Sequence, residues 1–263
     1  MTGILDLFRL DSRVAVVTGS GRGIGRGIAL GLADAGADVV LTARREAELE
    51  QVAAEVRARG RLAVVHPGDL RDGISEQIAA RAVAELGRLD VWVNNAGGAD
   101  DPSVEPLAST SDDKLRSFLE LNLVAAFQGM KAAVRHMGEG SSIVNIASGA
   151  GMRAAPNTGS YGASKAALLN MTATMAAELA PRRIRVNAVS PGMIPTEAFF
   201  DVLRFTEADL PALARKVPLG RLGTPEDIAA AVVYLCSPAA SWMTGQNLFI
   251  SGGREGGRSV EDR

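Results

Sequence analysis

Tyr161 and Lys165 stand four residues apart in the stretch Tyr-Gly-Ala-Ser-Lys, at what reads as the opening of a helix. Helical spacing puts both side chains on one face, so a phenol and an ammonium can act together. A free tyrosine titrates near ~10 and is a poor acid or base at neutral pH unless a neighbouring cation favours the phenolate. Lys165 is spaced to be that cation. Such a pair is also what an ordinary amphipathic helix carries on its surface. Its surroundings give it weight. Ser148 lies thirteen residues upstream, just after the apolar run Ile143–Ile146, which reads as a buried strand.

Far upstream, Thr18-Gly-Ser-Gly-Arg-Gly-Ile-Gly25 follows one apolar run and precedes a helical pattern. Glycines in such a turn let backbone approach a pyrophosphate, while the helix N-terminus offers N–H donors and a favourable dipole. The spacing misses G-x-G-x-x-G, because Ile24 stands three after Gly21, and fits G-x-x-x-G-x-G through Gly19, Gly23 and Gly25. A tight turn without a ligand would use glycine too, but the strand before and the helix after favour a dinucleotide. The end of the second strand then selects the cofactor. NAD asks for an acid at the ribose 2′-hydroxyl, and NADP asks for a cation at the 2′-phosphate. Asp38 is at the wrong end of that strand, whereas Arg44 and Arg45 follow it, and Arg22 lies in the glycine turn. NADP(H) is therefore expected over NAD(H).

The elements that must position these residues alternate along the chain. Short apolar runs at Val14–Val17, Val39–Leu41, Leu62–Val65, Val91–Val93, Ile143–Ile146, Arg185–Val189 and Leu248–Ile250 read as strands. Helical patterns separate them: from about Arg22 to Ala35, Glu46 to Arg59, one ending near Gly87, a long one from Asp112 to about Met137, the Tyr161 helix to about Ala180, and one beginning at Pro225. This βαβ series predicts an α/β fold, a doubly wound parallel sheet of about seven strands with helices on both faces, in a single domain over 1–263. The 263 residues are 47% hydrophobic but only 4% aromatic, which suits a buried parallel sheet of Val, Ile, Leu and Ala.

A formal net charge of -2 gives no broad footprint for nucleic acid or an anionic membrane. Cys236 is the single cysteine, so an intramolecular disulfide and a multi-cysteine metal site are excluded; a reducing compartment is the natural home, and no metal is expected. Met1 to Arg13 lacks a signal-peptide core, and no run reaches the ~18 apolar residues of a membrane span. A soluble, cytoplasmic chain is expected.

Taken together, the glycine turn, Asn94-Asn-Ala-Gly97, Asn122, Ser148, Tyr161-x-x-x-Lys165 and Pro191-Gly192 make the chain, from about Leu10 to Gly253, resemble the short-chain dehydrogenase/reductase family. The resemblance implies hydride transfer between a nicotinamide cofactor and a small-molecule ketone or alcohol. Tyr161 would exchange the proton, Lys165 would hold the nicotinamide ribose and lower the Tyr161 pKa, and Ser148 would bond the substrate oxygen. Asn122 would anchor a water linking Lys165 to solvent. Gly19, Ser20, Arg22, Gly23, Ile24 and Gly25 would cradle the phosphates, with Arg44 at the 2′-phosphate and Asp69 and Leu70 at the adenine. Asn94 to Gly97, including Asn95 and Ala96, would line the adenine ribose side. Pro191, Gly192, Ile194 and Thr196 would close on the nicotinamide. A homotetramer is also implied, with Ala166, Leu169 and Ala173 a candidate helix-pairing face.

Within that family, Asn94-Asn-Ala-Gly-Gly98, Pro191 to Ala198, Leu235 to Gln246 and Ser251-Gly-Gly253 are most similar to 7α-hydroxysteroid dehydrogenases. Ser251 departs from the Asp usual in the wider family, and the arginines after Leu41 depart from its NAD-using members. Residues 193–217 hold Phe199, Phe200 and Phe205 with Leu203 and Leu210, a candidate lid over a bulky apolar substrate or simply two amphipathic helices packed on the body. Pro218 to Asp227 would equally allow a 3-oxoacyl thioester reductase. A non-catalytic NADP-binding sensor on the same fold is a further alternative. A serine hydrolase is disfavoured, because Gly162-Ala-Ser-Lys-Ala166 only approximates the nucleophile elbow and lies in a helix. The tail from Arg254 to Arg263 is expected to fray.

Overall fold

The computed structural model describes residues 3–253. The predicted tail, Arg254 to Arg263, lies outside them, as does the side chain of Leu203. Seven strands, β1 (Val14–Thr18), β2 (Asp38–Thr42), β3 (Ala63–Val65), β4 (Val91–Asn94), β5 (Ser142–Ile146), β6 (Arg185–Pro191) and β7 (Asn247–Ile250), form one sheet in the order β3-β2-β1-β4-β5-β6-β7. Every pairing is parallel, with Val16 opposite Val40 on one side and Trp92 on the other. The expected doubly wound sheet is present.

Parallel strands need crossovers, and the helices that supply them cover both faces. On one face α1 (Gly23–Asp34), α2 (Glu46–Ala58) and α9 (Pro225–Cys236) pack Ile28, Leu32, Leu49, Val52, Ile228 and Val232 against Ala15 and Val17. On the other, α3 (Ser75–Leu86), α5 (Ala125–His136) and α6 (Gly159–Leu179) bring Ile78, Met130 and Leu179 onto Val14, Val16 and Trp92. Alternate residues of β1 thus feed opposite cores, as the strand period requires. Each fully buried Val, Leu or Ile contributes about 1.5–3 kcal/mol relative to exposure.

Local signals set the helix ends. Thr224 caps α9 by accepting from the Asp227 N–H, with Pro225 at the first helical position, where its missing donor costs nothing. Ser111 caps α4 (Asp112–Leu119) in the same way through Lys114 N–H.

The long helix expected from Asp112 to Met137 is one helical path with a fault in it. Between α4 and α5, Glu120–Val124 forms a π turn, centred on Asn122. A π turn shifts the backbone bonding by one residue and leaves a carbonyl without its usual donor. The Asn122 side-chain amide donates to the carbonyl of Phe118, four residues back, at 2.8 Å. Sequence period alone does not separate α from π over five residues.

The segment read as a candidate lid or as two packed helices contains α7 (Glu197–Leu203) and α8 (Leu210–Arg215). No helix among the described residues is long and apolar enough to cross a membrane.

Candidate active site

The strand order reverses between β1 and β4, and a crevice opens there beyond the carboxyl ends of the strands, where open α/β sheets bind ligands. Its volume is about 1110 Å³. That exceeds the ~300–1,000 Å³ of a pocket for one small molecule, so cofactor and substrate can share it.

One hydroxyl holds the switch point together. Thr18 Oγ accepts from the N–H of Asn95 (2.9 Å) and of Ala96 (3.0 Å) and donates to the carbonyl of Val93 (3.2 Å). The Asn95 amide donates back to the carbonyls of Thr18 and Gly19. These bonds fix the glycine turn beside the loop after β4. Gly19 is left-handed, with φ of 65°, and a Cβ on Gly25 would lie 2.1 Å from the Gly19 carbonyl oxygen. Only glycine permits this approach.

The residues present fit a dinucleotide. Arg22, the N-cap of α1, makes no side-chain cap bond, so the first N–H groups of that helix stay open toward the crevice. Such uncapped donors at a positive helix end suit a pyrophosphate. Gly19, Arg22, Gly23, Ile24, Gly25, Arg44, Asp69, Leu70, Asn95, Ala96, Gly97, Pro191, Gly192, Ile194 and Thr196 all line the crevice, as do Asn122, Ser148, Tyr161 and Lys165. Arg45 pairs with Glu48 at 2.9 Å, whereas Arg22 and Arg44 make no salt bridge among the described residues, although Arg44 lies near enough to Asp69 to help hold that carboxyl's pKa down. No group of three or more His, Cys, Asp or Glu side chains among those residues could hold a metal ion.

Two expected contacts are corrected. Ser20 is buried off the wall; its N–H donates to the Thr42 carbonyl and its hydroxyl accepts from Thr42 N–H at 3.0 Å, so it ties the turn to β2. Asn94 is likewise buried beneath the crevice, donating to Asn145 Oδ1 at 2.8 Å and accepting from the Trp92 indole. Both residues build the site from below.

Asp69 reaches the wall, but Arg71 grips its carboxylate at 2.7 Å and holds it below the ordinary carboxylate range. Arg71 also pairs with Asp100 at 2.7 Å, stapling the loop after β4. Lys114 provides a second staple. Its buried ammonium meets Ser103, Glu105 and Asp101 at 2.8, 2.9 and 3.2 Å. Neither staple has a motif, because each joins segments that only the fold brings together.

The catalytic candidates converge. Ser148 ends the β5 strand path and accepts from Ala150 N–H at 3.1 Å, which fixes its hydroxyl at the mouth. Tyr161 lies near the start of α6, with Phe118 edge-on at 6.1 Å between ring centroids. Lys165 is 4% exposed and donates to the Ile146 carbonyl at 2.8 Å, with Nζ 5.7 Å from the Tyr161 ring centre. Asn122 stands beside it. A Cβ on Gly97 would lie 2.7 Å from Asn122 Oδ1 and 3.3 Å from Lys165 Nζ.

The expected depression of the phenol pKa is opposed by burial. Burial pushes Tyr161 above its ordinary range, and a hydrogen bond with Ser148 pulls the other way. Burial also lowers Lys165 to about 8. The ammonium spends its short contact on a backbone carbonyl, so desolvation dominates both groups.

The far wall is apolar. Phe199, Val202, Phe205, Leu213 and Phe249 line it, and the Phe199 and Phe205 rings stack at 5.5 Å. Sequence reasoning singled out Phe199 and Phe205 but not Phe249, nor Arg153 and Lys216, which also line the crevice.

This fold and this convergent Ser148, Tyr161 and Lys165 set have a family. A family model described as Enoyl-(Acyl carrier protein) reductase matches residues 19–255, and the chain belongs to the short-chain dehydrogenase/reductase family. It is 45% identical over 254 residues to the uncharacterized oxidoreductase MT0954 of Mycobacterium tuberculosis (strain CDC 1551 / Oshkosh), covering 95% of each chain. It is 38% identical over 255 residues to the 7α-hydroxysteroid dehydrogenase of Escherichia coli (strain K12), covering 94% of this chain and 96% of that one. A solved structure of 7α-hydroxysteroid dehydrogenase with NADH and 7-oxo glycochenodeoxycholic acid superposes with a TM-score of 0.89 at 36% identity, covering 96% and 98% of the two chains. The protein is an oxidoreductase of this family.

Proposed function

We propose that the protein is an NADP(H)-dependent oxidoreductase that interconverts a secondary alcohol and a ketone on a bulky, apolar, steroid-like molecule. The observation that carries this reading is one crevice whose lining includes the glycine turn, Ser148 and Tyr161, and the phenylalanines Phe199, Phe205 and Phe249. Arg22, Arg44 and the open N-terminus of α1 would hold the cofactor phosphates, and the absence of a salt bridge at either arginine among the described residues supports NADP(H). When bound, the nicotinamide supplies or accepts the hydride.

The chain's own groups handle the proton and the geometry. Ser148 hydrogen-bonds the substrate oxygen and orients it toward Tyr161. In reduction, the Tyr161 hydroxyl gives its proton to that oxygen; in oxidation it takes the proton back. A phenol held above its ordinary pKa is protonated at neutral pH, the state that ketone reduction requires. Lys165 steadies the phenolate left behind, and Asn122 lies where the proton can be replaced. A cytoplasmic setting and a homotetramer belong to the same reading. Cys236 is buried, and α6 exposes Ala166 and Ala173 beside half-buried Leu169 as a pairing face. A monomer in sedimentation would remove the tetramer.

Initial rates with NADPH and NADH, on a 7-ketosteroid and an acetoacetyl thioester side by side, test the assignment. Faster NADPH oxidation with the steroid is expected. Thioester turnover alone would move the reading to 3-oxoacyl reduction. Tyr161→Phe is expected to abolish turnover with NADPH binding largely intact, and substantial residual activity would overturn the role given to Tyr161.

A further inference from the structure

Several charged groups of the crevice are paired with one another, and those that are not are informative. Lys114 is taken by Asp101 and Glu105, Arg71 by Asp69 and Asp100, and Arg45 by Glu48. Glu197 lies against the glycine turn, 3.9 Å from the place a Gly23 Cβ would occupy. With Arg22 and Arg44 assigned to the cofactor end and Lys165 to the reacting groups, two cations on the wall have no salt bridge among the described residues: Arg153 and Lys216.

Arg153 is exposed, yet its guanidinium folds back toward the chemistry. Its Nη1 lies 3.4 Å from where a Cβ on Gly149 would sit, and the Phe249 ring approaches the same point at 3.0 Å. Gly149 directly follows Ser148. The cation therefore borders both the reacting end of the crevice and its aromatic wall. Lys216 arrives from the other side of the chain, just after α8, in the segment that carries Leu213 onto that wall. A guanidinium beside an apolar wall is suited to a carboxylate, which it binds in a fixed, charge-assisted geometry.

We propose that the substrate is an apolar ketone or alcohol carrying an anionic group, and that Arg153, assisted by Lys216, binds that group and sets which end of the molecule enters. This rests on the reading of the crevice as an alcohol–ketone site. A carboxylate and the phosphate of an acyl thioester carrier share the required chemistry.

The test uses the intact protein saturated with NADP+, in which a ketone binds without turning over. A 7-oxo steroid acid and its methyl ester are titrated calorimetrically, as are a straight-chain oxo acid and its ester. The acid of at least one pair is expected to bind about tenfold to hundredfold more tightly than its ester, the range for one charge-assisted contact. Arg153→Gln should reduce that preference to threefold or less, and Lys216→Gln should reduce it partly, with melting temperatures unchanged. Equal binding of acid and ester in every pair, a preference that survives Arg153→Gln, or no binding by any compound overturns the proposal. A phosphopantetheine thioester that outbinds its dephosphorylated form only when Arg153 is present supports it with phosphate as the anion. Turnover with NADPH reads the underlying assignment separately. Ester and acid reduced equally well would keep the alcohol–ketone reading and overturn the anion site. Arg153-dependent acid binding without reduction would keep the anion site and remove that reading.

Discussion

Replacing Lys165 by methionine should inactivate the protein and make it more stable. Lys165 is 4% exposed, and burial has brought its ammonium from an ordinary 10.5 to about 8. At about 1.4 kcal/mol per pH unit, keeping it charged at neutral pH costs the folded state roughly 3 kcal/mol. Against this stands its bond to the Ile146 carbonyl, whose loss leaves a buried acceptor unmet at about 1–2 kcal/mol. The net gain for Lys165→Met at pH 7 is about 1–2 kcal/mol, or roughly 2–8 °C in melting temperature for a chain of this size. The pH dependence has a definite sign. Between about 8 and 10.5 the folded protein binds fewer protons than the unfolded chain, so wild-type stability rises with pH across that window; below it the penalty is fully present. By pH 9.5 less than half of the penalty remains, about 1 kcal/mol, and the two effects of the substitution nearly cancel. Thermal melts of both proteins at pH 7 and 9.5, alongside steady-state rates, measure this directly. A variant that melts below wild type at pH 7, or a difference that does not shrink by pH 9.5, would refute the account of Lys165 as a buried charge.

Removing both Arg22 and Arg44 to alanine should lower kcat/KM for NADPH relative to NADH by about tenfold or more, since each can give a charge-assisted bond to phosphate; an unchanged ratio would refute their role. Gly25→Ala would force a Cβ to within 2.1 Å of the Gly19 carbonyl oxygen and 2.4 Å of the Asn95 amide, so a loss of about 1–3 kcal/mol in urea unfolding and weakened cofactor binding are expected. Gly138→Ala, with nothing within 4 Å of the added atom, is the control and should leave stability within about 0.5 kcal/mol. Cys236 is buried, and its thiol is pushed up to about 12, so it should ignore thiol reagents in the native protein and react once unfolded. Rapid labelling of the native protein would contradict its burial.

Much of the fold was legible because a parallel sheet covered on both sides writes itself as continuous apolar runs. Val14–Val17 and Ile143–Ile146 fall inside β1 and β5 as read, while Leu62, assigned to β3, lies outside it and is exposed at the sheet edge. The catalytic residues were legible for a different reason: Tyr161 and Lys165 are local on one helix, and spacing fixes their common face. Spacing does not fix where an ammonium spends its hydrogen bond. The Ile146 carbonyl comes from another element, and the burial that accompanies the fold raises the Tyr161 pKa where the spacing suggested a lowering. Ser20 and Asn94 carry the right residue types at the right positions in their motifs, yet backbone partners on β2 and a side chain on β5 turn them inward. Arg153 had no periodic signal, since its place depends on a short loop folding back over Gly149.

The two walls around Tyr161 are made of different materials. The loop after β4 is riveted by Arg71 and Lys114 to carboxylates at Asp69, Asp100, Asp101 and Glu105, so exchanging one of its residues disturbs a network of interlocked charges. The wall from α7 and α8 is carbon against carbon, and Phe199, Val202, Phe205 and Leu213 can be traded for other sizes without stranding a charge. Selection, natural or in the laboratory, therefore meets little resistance on one side of the crevice and much on the other. New substrates should be acquired through α7 and α8, while the charged loop stays much as it was inherited.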